Sequence, residues 1–355
     1  QAGNTDWNGD LTGSGAAFTK RGSGILTLDG TFTKHTGNTA VEAGTLKLDV
    51  DGGISQFGNN SPVNVSSGAT LHLASPTSGN SISLGQLGGA GNVSIDLSTG
   101  SLEVGDDNAN STISGVVSGT GRLVKVGSGE LVLSNVNNSF GTSAAAGWPV
   151  LKISGGSVSV PDERALGSSE DADSIYIENN STLAFTGSTT LNAARDIELS
   201  GTGGTISVVS GATVTIPGDL IGSAQLTKSN PGTLSLTSDN LLYTGSVTVT
   251  GGDLKVSGAN PVAGKISCSG GSSDRGCIVA SSGGTTVTST ASNDEETVEK
   301  TDNQTGGGNG NGPDDTTKTT TDGNDVVTVP VDPVDPVDPV DPVDLIDVDD
   351  SLVID

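Results

Sequence analysis

The sequence predicts an all-β chain that coils into a β-solenoid and ends in a disordered acidic tail. Short segments alternate apolar and polar residues, which is the period-2 pattern of a strand with one buried face. Aromatic residues make up only 3% of the 355 residues, whereas glycine supplies 54 of them. Because thick cores take much of their buried area from aromatic side chains, we expect a thin core of stacked Val, Leu and Ile. Parts of the chain also repeat, as stacked structural units do.

The repeat is clearest in three segments, at residues 18–50, 123–160 and 226–256. Each segment begins with a strand containing a lysine, which is Lys20, Lys125 or Lys228, followed by a turn and an alternating strand. The lysines lie 105 and 103 residues apart. Two further short strands separated by glycine complete each copy. We therefore assign residues 1–292 to a single repetitive domain.

The expected strands are four to six residues long and are separated by Gly, Asn, Ser and Asp. In chain order they include ILTLD, TLKLDV, VNVS, TLHLA, LVLS, IYIE, ISVV, TVTIP, TLSLT and VTVT. A β-sandwich has a similar rhythm of strands and turns, so it stays open as an alternative. The recurrence of the unit, the scarcity of aromatic residues and the small turn residues favour the solenoid.

The C-terminal part differs in composition from the rest of the chain. Residues 293–355 contain 18 acidic and two basic residues. Residues 293–329 have few large apolar side chains and are predicted to be a disordered acidic linker. Residues 330–344 repeat Pro-Val-Asp, which matches the three residues per turn of polyproline II and predicts a spacer of roughly 45 Å. A cation-binding or partner-binding tail is the alternative, and residues 345–355 stay unassigned.

Charge and hydropathy exclude two classes of protein. The net charge of −26 is opposite in sign to that of nucleic-acid binders, so no nucleic-acid partner is expected. No stretch of 18 apolar residues occurs, so no membrane-spanning helix is expected in this chain. Gln1 opens directly into polar sequence, and we expect that a signal peptide has been removed from a longer precursor.

The two cysteines, Cys268 and Cys277, lie in the segment CSGGSSDRGC. We predict a disulfide between them, since a small Gly- and Ser-rich loop suits an oxidising extracellular setting; a pair of surface thiols is the alternative. A metal site would need further ligands, and the two histidines, His35 and His72, are distant in sequence. No metal, cofactor or catalytic residue is predicted. His35 is expected in a turn and His72 on a solvent-facing strand surface, both as ordinary surface residues.

A family resemblance rests on the first repeat. Residues 20–28 read KRGSGILTL, residues 36–37 read TG, and residues 39–48 read TAVEAGTLKL. This pattern resembles the autotransporter-associated β-strand repeat of bacterial passenger domains. The second copy departs from it at Trp148-Pro149, and the third departs at Asn230-Pro231.

The resemblance implies a right-handed parallel β-helix that is secreted or displayed at the Gram-negative cell surface. The implied partners are the protein's own outer-membrane β-barrel in the precursor and molecules on host or neighbouring cells. The main functional hypothesis is a non-catalytic structural stalk or adhesin. One alternative is the support stalk of a larger subtilisin-like serine protease whose catalytic domain lies upstream. Another is an ice- or glycan-binding solenoid, although the threonines are too scattered in sequence for the Thr-x-Thr ladders of ice binders.

Overall fold

The computed structural model describes residues 3–7, 12–29, 34–49, 61–75, 81–142, 148–169, 175–238, 242–256 and 266–268. In these residues every strand pair is parallel and joins one turn of a coil to the next. Besides strands, the described residues contain one short 3-10 helix, Glu163–Leu166. The prediction of an all-β solenoid is confirmed, and the sandwich alternative is wrong because sandwich sheets are antiparallel. The right-handed sense stays a prediction, in line with the general preference of parallel crossovers.

Each turn of the coil passes over three faces, of which the first carries one continuous sheet, called the long sheet below. Its strands in the described residues are Phe18–Lys20, Thr39–Val41, Val63–Val65, Leu87–Gly89, Ser111–Ile113, Glu130–Leu133, Ser157–Val160, Ser181–Phe185, Gly204–Val208, Leu226–Ser229, Val247–Val249 and Ile266–Cys268.

The second face carries two sheets that follow one another along the coil. The strands of the first are Thr5–Trp7, Ile25–Leu28, Thr45–Asp49, Thr70–Ala74, Asn92–Asp96, Val117–Gly119 and Ser139–Phe140. Those of the second are Thr189–Thr190, Thr213–Ile216, Thr233–Leu236 and Asp253–Val256.

The third face also carries two sheets. The first pairs Thr12–Gly13 with Lys34–His35. The strands of the second are Ile82–Leu84, Ser101–Val104, Arg122–Lys125, Leu151–Ile153, Ile175–Glu178, Ile197–Ser200 and Leu220–Gly222.

The length of a turn varies along the long sheet. The turn that separates the register partners Val249 and Cys268 is short, whereas the turn that separates Leu131 and Val158 is clearly longer. Parallel strands are nevertheless spaced about 4.8 Å apart whatever the length of the connection. A longer turn therefore leaves the spacing between neighbouring strands unchanged.

The core consists of columns of aliphatic side chains, one from each turn. On the third face, Leu123, Leu151, Ile175, Ile197 and Leu220 lie in register and are fully buried. Burial of each such side chain contributes about 1.5–3 kcal/mol to folding, before the entropy cost of ordering the chain. The prediction of a thin aliphatic core is confirmed.

The three repeat copies do not occupy equivalent positions around the coil. The lysine strands of the first and third copies, Phe18–Lys20 and Leu226–Ser229, belong to the long sheet, whereas Arg122–Lys125 of the second copy belongs to the third face. The second copy is thus shifted by one face. The same local corner can therefore be built at different edges of the coil.

The threonines scattered in sequence include one column on the outer surface of the long sheet. Thr182, Thr205, Thr227 and Thr248 occupy one register position in successive turns. The next column is not threonine, since Ala184 pairs with a serine of the following turn. The Thr-x-Thr array of ice binders is therefore absent from this part of the long sheet.

Several predictions concern residues outside those described. They are the three tail segments (293–329, 330–344 and 345–355) and Cys277. For Cys268, the structure describes the backbone, which belongs to the strand Ile266–Cys268. The disulfide and the tail assignments stay predictions. No helix in the described ranges is long and apolar enough to cross a membrane.

Candidate functional site

The three repeat lysines are buried inside the coil. Lys20 is 6% exposed, Lys125 is 1% exposed and Lys228 is fully buried. Each follows a core-facing residue by two positions, as Lys125 follows Leu123. Because alternate strand residues point to the same face, strand register directs these side chains inward. Sequence reasoning identified the lysines as markers of the repeat but missed their burial, which this spacing could have revealed.

Each lysine ammonium lies at a corner of the coil among backbone carbonyl oxygens. In every copy, Nζ donates to the carbonyls of the next two residues and to one carbonyl in the following turn. For Lys20, the N···O distances are 3.2 Å to Arg21, 2.7 Å to Gly22 and 2.8 Å to Ala43. For Lys125, they are 2.5 Å to Val126, 3.0 Å to Gly127 and 3.4 Å to Gly155. For Lys228, they are 2.8 Å to Ser229, 2.6 Å to Asn230 and 2.9 Å to Gly251. We call this arrangement the lysine corner.

A left-handed residue bends the chain around each ammonium. The residue two positions after the lysine has φ of +78° at Gly22, +65° at Gly127 and +63° at Asn230. Asparagine is among the few residues that adopt this conformation readily. The departure of the third copy from the repeat pattern at Asn230 therefore preserves the backbone geometry of the corner.

The following turn supplies a second left-handed glycine, which packs directly on the first corner. These glycines are Gly44, Gly156 and Gly252, with φ of +68°, +59° and +64°. A Cβ atom at Gly44 would lie 2.5 Å from the carbonyl oxygens of both Gly22 and Gly24. Only glycine permits this approach, so the close packing of the two turns requires glycine at this second position.

Burial affects the charge of the three lysines. It lowers the pKa of Lys20 and Lys125, and it lowers the pKa of Lys228 to about 8. At neutral pH the ammonium form of Lys228 still predominates, and its three carbonyl acceptors partly replace water. The lysine corner therefore joins each turn to the next through a buried cation.

The structure places His35 differently from the sequence prediction. His35 belongs to the short strand Lys34–His35 and is 2% exposed, so the prediction of a surface residue in a turn is wrong. Its Nε2 lies 3.3 Å from Oγ1 of Thr39, and its ring contacts the ring of Phe18 edge-on at 6.3 Å. Burial lowers the pKa of His35. Its surroundings are those of a core residue.

His72 lies on the outer surface of the second face, as predicted. Its Nε2 is 2.8 Å from Oδ2 of Asp96, and the hydroxyl of Ser94 donates to the same oxygen at 2.9 Å. A nucleophilic serine would instead hydrogen-bond to the imidazole, with the carboxylate on the far side of the ring. The trio therefore lacks the arrangement for acyl transfer.

In the described ranges, no three His, Cys, Asp or Glu side chains form a group that could hold a metal ion.

Comparison with protein families identifies the segments that contain the lysine corners. Residues 18–48, 123–148 and 226–256 match the passenger-associated-transport-repeat family. The chain carries passenger-associated transport repeats. Each match includes the lysine strand, and the first and third also include the glycine of the following turn. The lysine corner is therefore a shared structural feature of the transport repeats in this chain.

One curated relative supports the same conclusion. The chain is similar to the adhesin BmaC autotransporter of Brucella suis biovar 1 (strain 1330), with 33% identity over 263 residues. The aligned region is 72% of this chain, but the chain spans only 7% of the relative's length. Together the matches confirm an autotransporter passenger segment, secreted or at the cell surface. No solved structure matches the chain.

Proposed function

We propose that this chain is a non-catalytic segment of a cell-surface or secreted passenger and acts as a structural stalk with an adhesive surface. The observation that carries the proposal is the long sheet, which continues from Phe18–Lys20 to Ile266–Cys268 without a change of strand direction. Such a coil extends by stacking turns and exposes long lateral surfaces. The similarity to a protein named as an adhesin supports the adhesive role.

Two observations support the non-catalytic part of the proposal. The half-buried trio of His72, Asp96 and Ser94 lacks nucleophile geometry, and the buried lysines use their ammonium groups on backbone carbonyls. The alternative of a protease support receives no support from the comparisons, since the relative is named as an adhesin. As partners we propose the outer-membrane barrel of the precursor and surface molecules of host or neighbouring cells.

Adhesion by beads coated with the full chain tests the adhesive role. We expect several-fold more beads to attach to cultured host cells than beads coated with serum albumin, another acidic protein. Equal attachment of the two would contradict the adhesive role.

The stalk is tested separately by small-angle X-ray scattering, which should show a rod-shaped body. The described turns account for roughly 50 Å of its length at about 4.8 Å per turn, and a compact globular scattering profile would contradict the stalk.

A further inference from the structure

A pocket on the outer surface of the third face lies where the second repeat departs from its pattern. The family match of that repeat ends at residue 148, and the Trp148 side chain is 57% exposed. The register partners Leu123 and Leu151 lie farther apart in sequence than the register partners of the other neighbouring strands in this sheet. Near the end of the segment between these two leucines, Trp148 presents its indole at the surface.

The indole is held by a neighbouring cation. The guanidinium carbon of Arg122 lies 4.1 Å from the centroid of the Trp148 ring, and Nη2 of Arg122 also donates to the carbonyl of Thr99. A cation over an indole face contributes about 0.5–2 kcal/mol, depending on its exposure. The ring is thus positioned in advance of any ligand while more than half of it stays open to solvent.

The floor of the pocket consists of outward side chains from three successive strands. Val124, Lys152 and Tyr176 lie in register, and with Arg122 and Trp148 they line a cavity of about 680 Å³. None of the described lining residues carries a carboxylate, although the chain has 41 acidic and 15 basic residues. The ammonium of Lys152 is 3.0 Å from Oε1 of Glu178, at the side of the pocket.

We propose that this pocket binds a carboxylated sugar, such as a sialic or uronic acid unit of a surface glycan. The open indole offers a flat apolar surface for the C–H face of a pyranose ring, while Arg122 and Lys152 offer donors for its carboxylate. A polyanion such as nucleic acid is disfavoured, because the net charge of −26 repels it. This inference rests on the proposed adhesive function and names a ligand class for it.

The two tryptophans of the chain permit a direct binding measurement. In a Trp7→Phe variant of the full chain, Trp148 is the sole tryptophan, so its fluorescence reports on the pocket. We would titrate this variant with 3′-sialyllactose, with a hyaluronan tetrasaccharide that supplies glucuronate, and with lactose as the neutral control. We expect a saturable change with at least one carboxylated sugar, and at least tenfold weaker binding of lactose. No saturable change with either acid, or equal binding of lactose, would overturn the inference.

Variants then locate the binding, with saturation-transfer NMR as a readout that needs no tryptophan. Trp148→Ala and Arg122→Gln should each weaken binding at least tenfold. The matched control is Trp7→Ala, since Trp7 is 53% exposed but belongs to the second face; it should bind like the wild type. Unchanged binding by Trp148→Ala would overturn the inference. Should the coated beads adhere to cells while no sugar binds, the ligand assignment fails and the proposed function stands.

Discussion

Lys125 shows how a thin aliphatic core accommodates a positive charge. Removing an ammonium from water costs several kcal/mol, and three backbone carbonyl oxygens at a corner offset part of that cost through charge-assisted hydrogen bonds. The third carbonyl, that of Gly155, belongs to the next turn, so the complete set of acceptors exists only once two turns have stacked. This dependence makes the lysine corner a link between successive turns.

Replacement of Lys125 by methionine should destabilise the protein by about 2–4 kcal/mol. Methionine has a similar length but leaves three carbonyl oxygens without their donor. The matched control is Lys255→Met, because Lys255 is exposed on the strand Asp253–Val256, and its effect should stay within about 0.5 kcal/mol. Urea denaturation followed by circular dichroism measures both. Equal midpoints for the two variants would show that the corner contributes nothing to stability.

Gly156→Ala should destabilise the protein more than Gly211→Ala does. Both glycines have positive φ, +59° and +77°, so each substitution carries about 1–2 kcal/mol of left-handed strain. An added Cβ at Gly211 meets nothing within 4 Å, whereas at Gly156 it overlaps the carbonyl oxygen of Gly129. We expect roughly 2–3 kcal/mol of further loss at Gly156, and thermal unfolding of the two variants provides the comparison. Equal losses would argue against close stacking of the corners.

The stability of the protein should rise with pH between about 8 and 10 because of Lys228. Burial lowers its folded pKa to about 8, below its ordinary value of 10.5, so in this range the unfolded chain binds a proton that the folded chain has released. The stability that Lys228 contributes at high pH is lost as pH falls through 8. Denaturation midpoints of the wild type and Lys228→Met are measured from pH 7 to 9.5. The midpoint of the wild type should rise relative to that of the variant as pH increases. Parallel pH profiles would contradict it. The range ends at pH 9.5 because Tyr243, whose pKa burial raises to about 12, acts in the opposite sense at higher pH.

At the scale of elements, the second face is interrupted between the strands Ser139–Phe140 and Thr189–Thr190. The 3-10 helix Glu163–Leu166 occupies this region of the chain. Arg195, which is fully buried, places its Nε 3.0 Å from Oε1 of Glu163 and donates from Nη2 to the carbonyls of Gly167 and Ser168 at 3.2 and 2.8 Å. A buried ion pair thus links the helix to the next turn where strand pairing on this face is broken.

Arg195→Met should cost about 3–5 kcal/mol at neutral pH, because it leaves the Glu163 carboxylate buried without its cation. Burial already raises the pKa of Glu163, and Arg195 opposes that rise. Without Arg195 the folded pKa rises further, so the variant should be more stable near pH 4.5 and lose stability as pH rises through the folded pKa. The double variant Arg195→Met/Glu163→Gln should recover part of the loss at pH 7. Denaturation at both pH values measures these effects, and a pH-independent loss would rule out Glu163 as its source.

At the scale of the whole molecule, each turn contacts chiefly the turns before and after it. Stability in such a coil is approximately a sum of turn and neighbour contributions, so end turns have fewer neighbours than central ones. The columns of aliphatic side chains and the lysine corners are both contacts between neighbouring turns. In the described residues, the buried apolar side chains form one core that runs along the coil instead of gathering at a single centre.

Amide hydrogen exchange should therefore be slowest in the central turns. We expect the strand Ser181–Phe185 to exchange more slowly than Phe18–Lys20 and Val247–Val249, which lie near the two ends of the long sheet. Mass spectrometry of peptides from the exchanged full chain measures this order. Uniform protection along the long sheet would show that the coil opens as one cooperative unit.

Much of the fold is predictable because its signals are local. Strands such as Thr233–Leu236 alternate apolar and polar residues, and their turns contain Gly and Asn, so neither depends on distant parts of the chain. The inward direction of Lys125 follows from its two-residue spacing from Leu123. His35 misled prediction because the turn-like segment TKHTG gives no local sign of burial, which depends on contacts with Phe18 and Thr39.

By itself, the amino-acid sequence determined the strands, the left-handed corners and the repeat that identifies a passenger segment. The tertiary structure decided which strands share a face, because turns of unequal length shift each copy around the coil by amounts that no local pattern encodes. It placed the second lysine corner on the third face, and it brought Arg122 to Trp148 and Arg195 to Glu163 from separate parts of the chain. Local backbone preferences specify each turn, whereas contacts between side chains on different turns exist only after the turns have stacked.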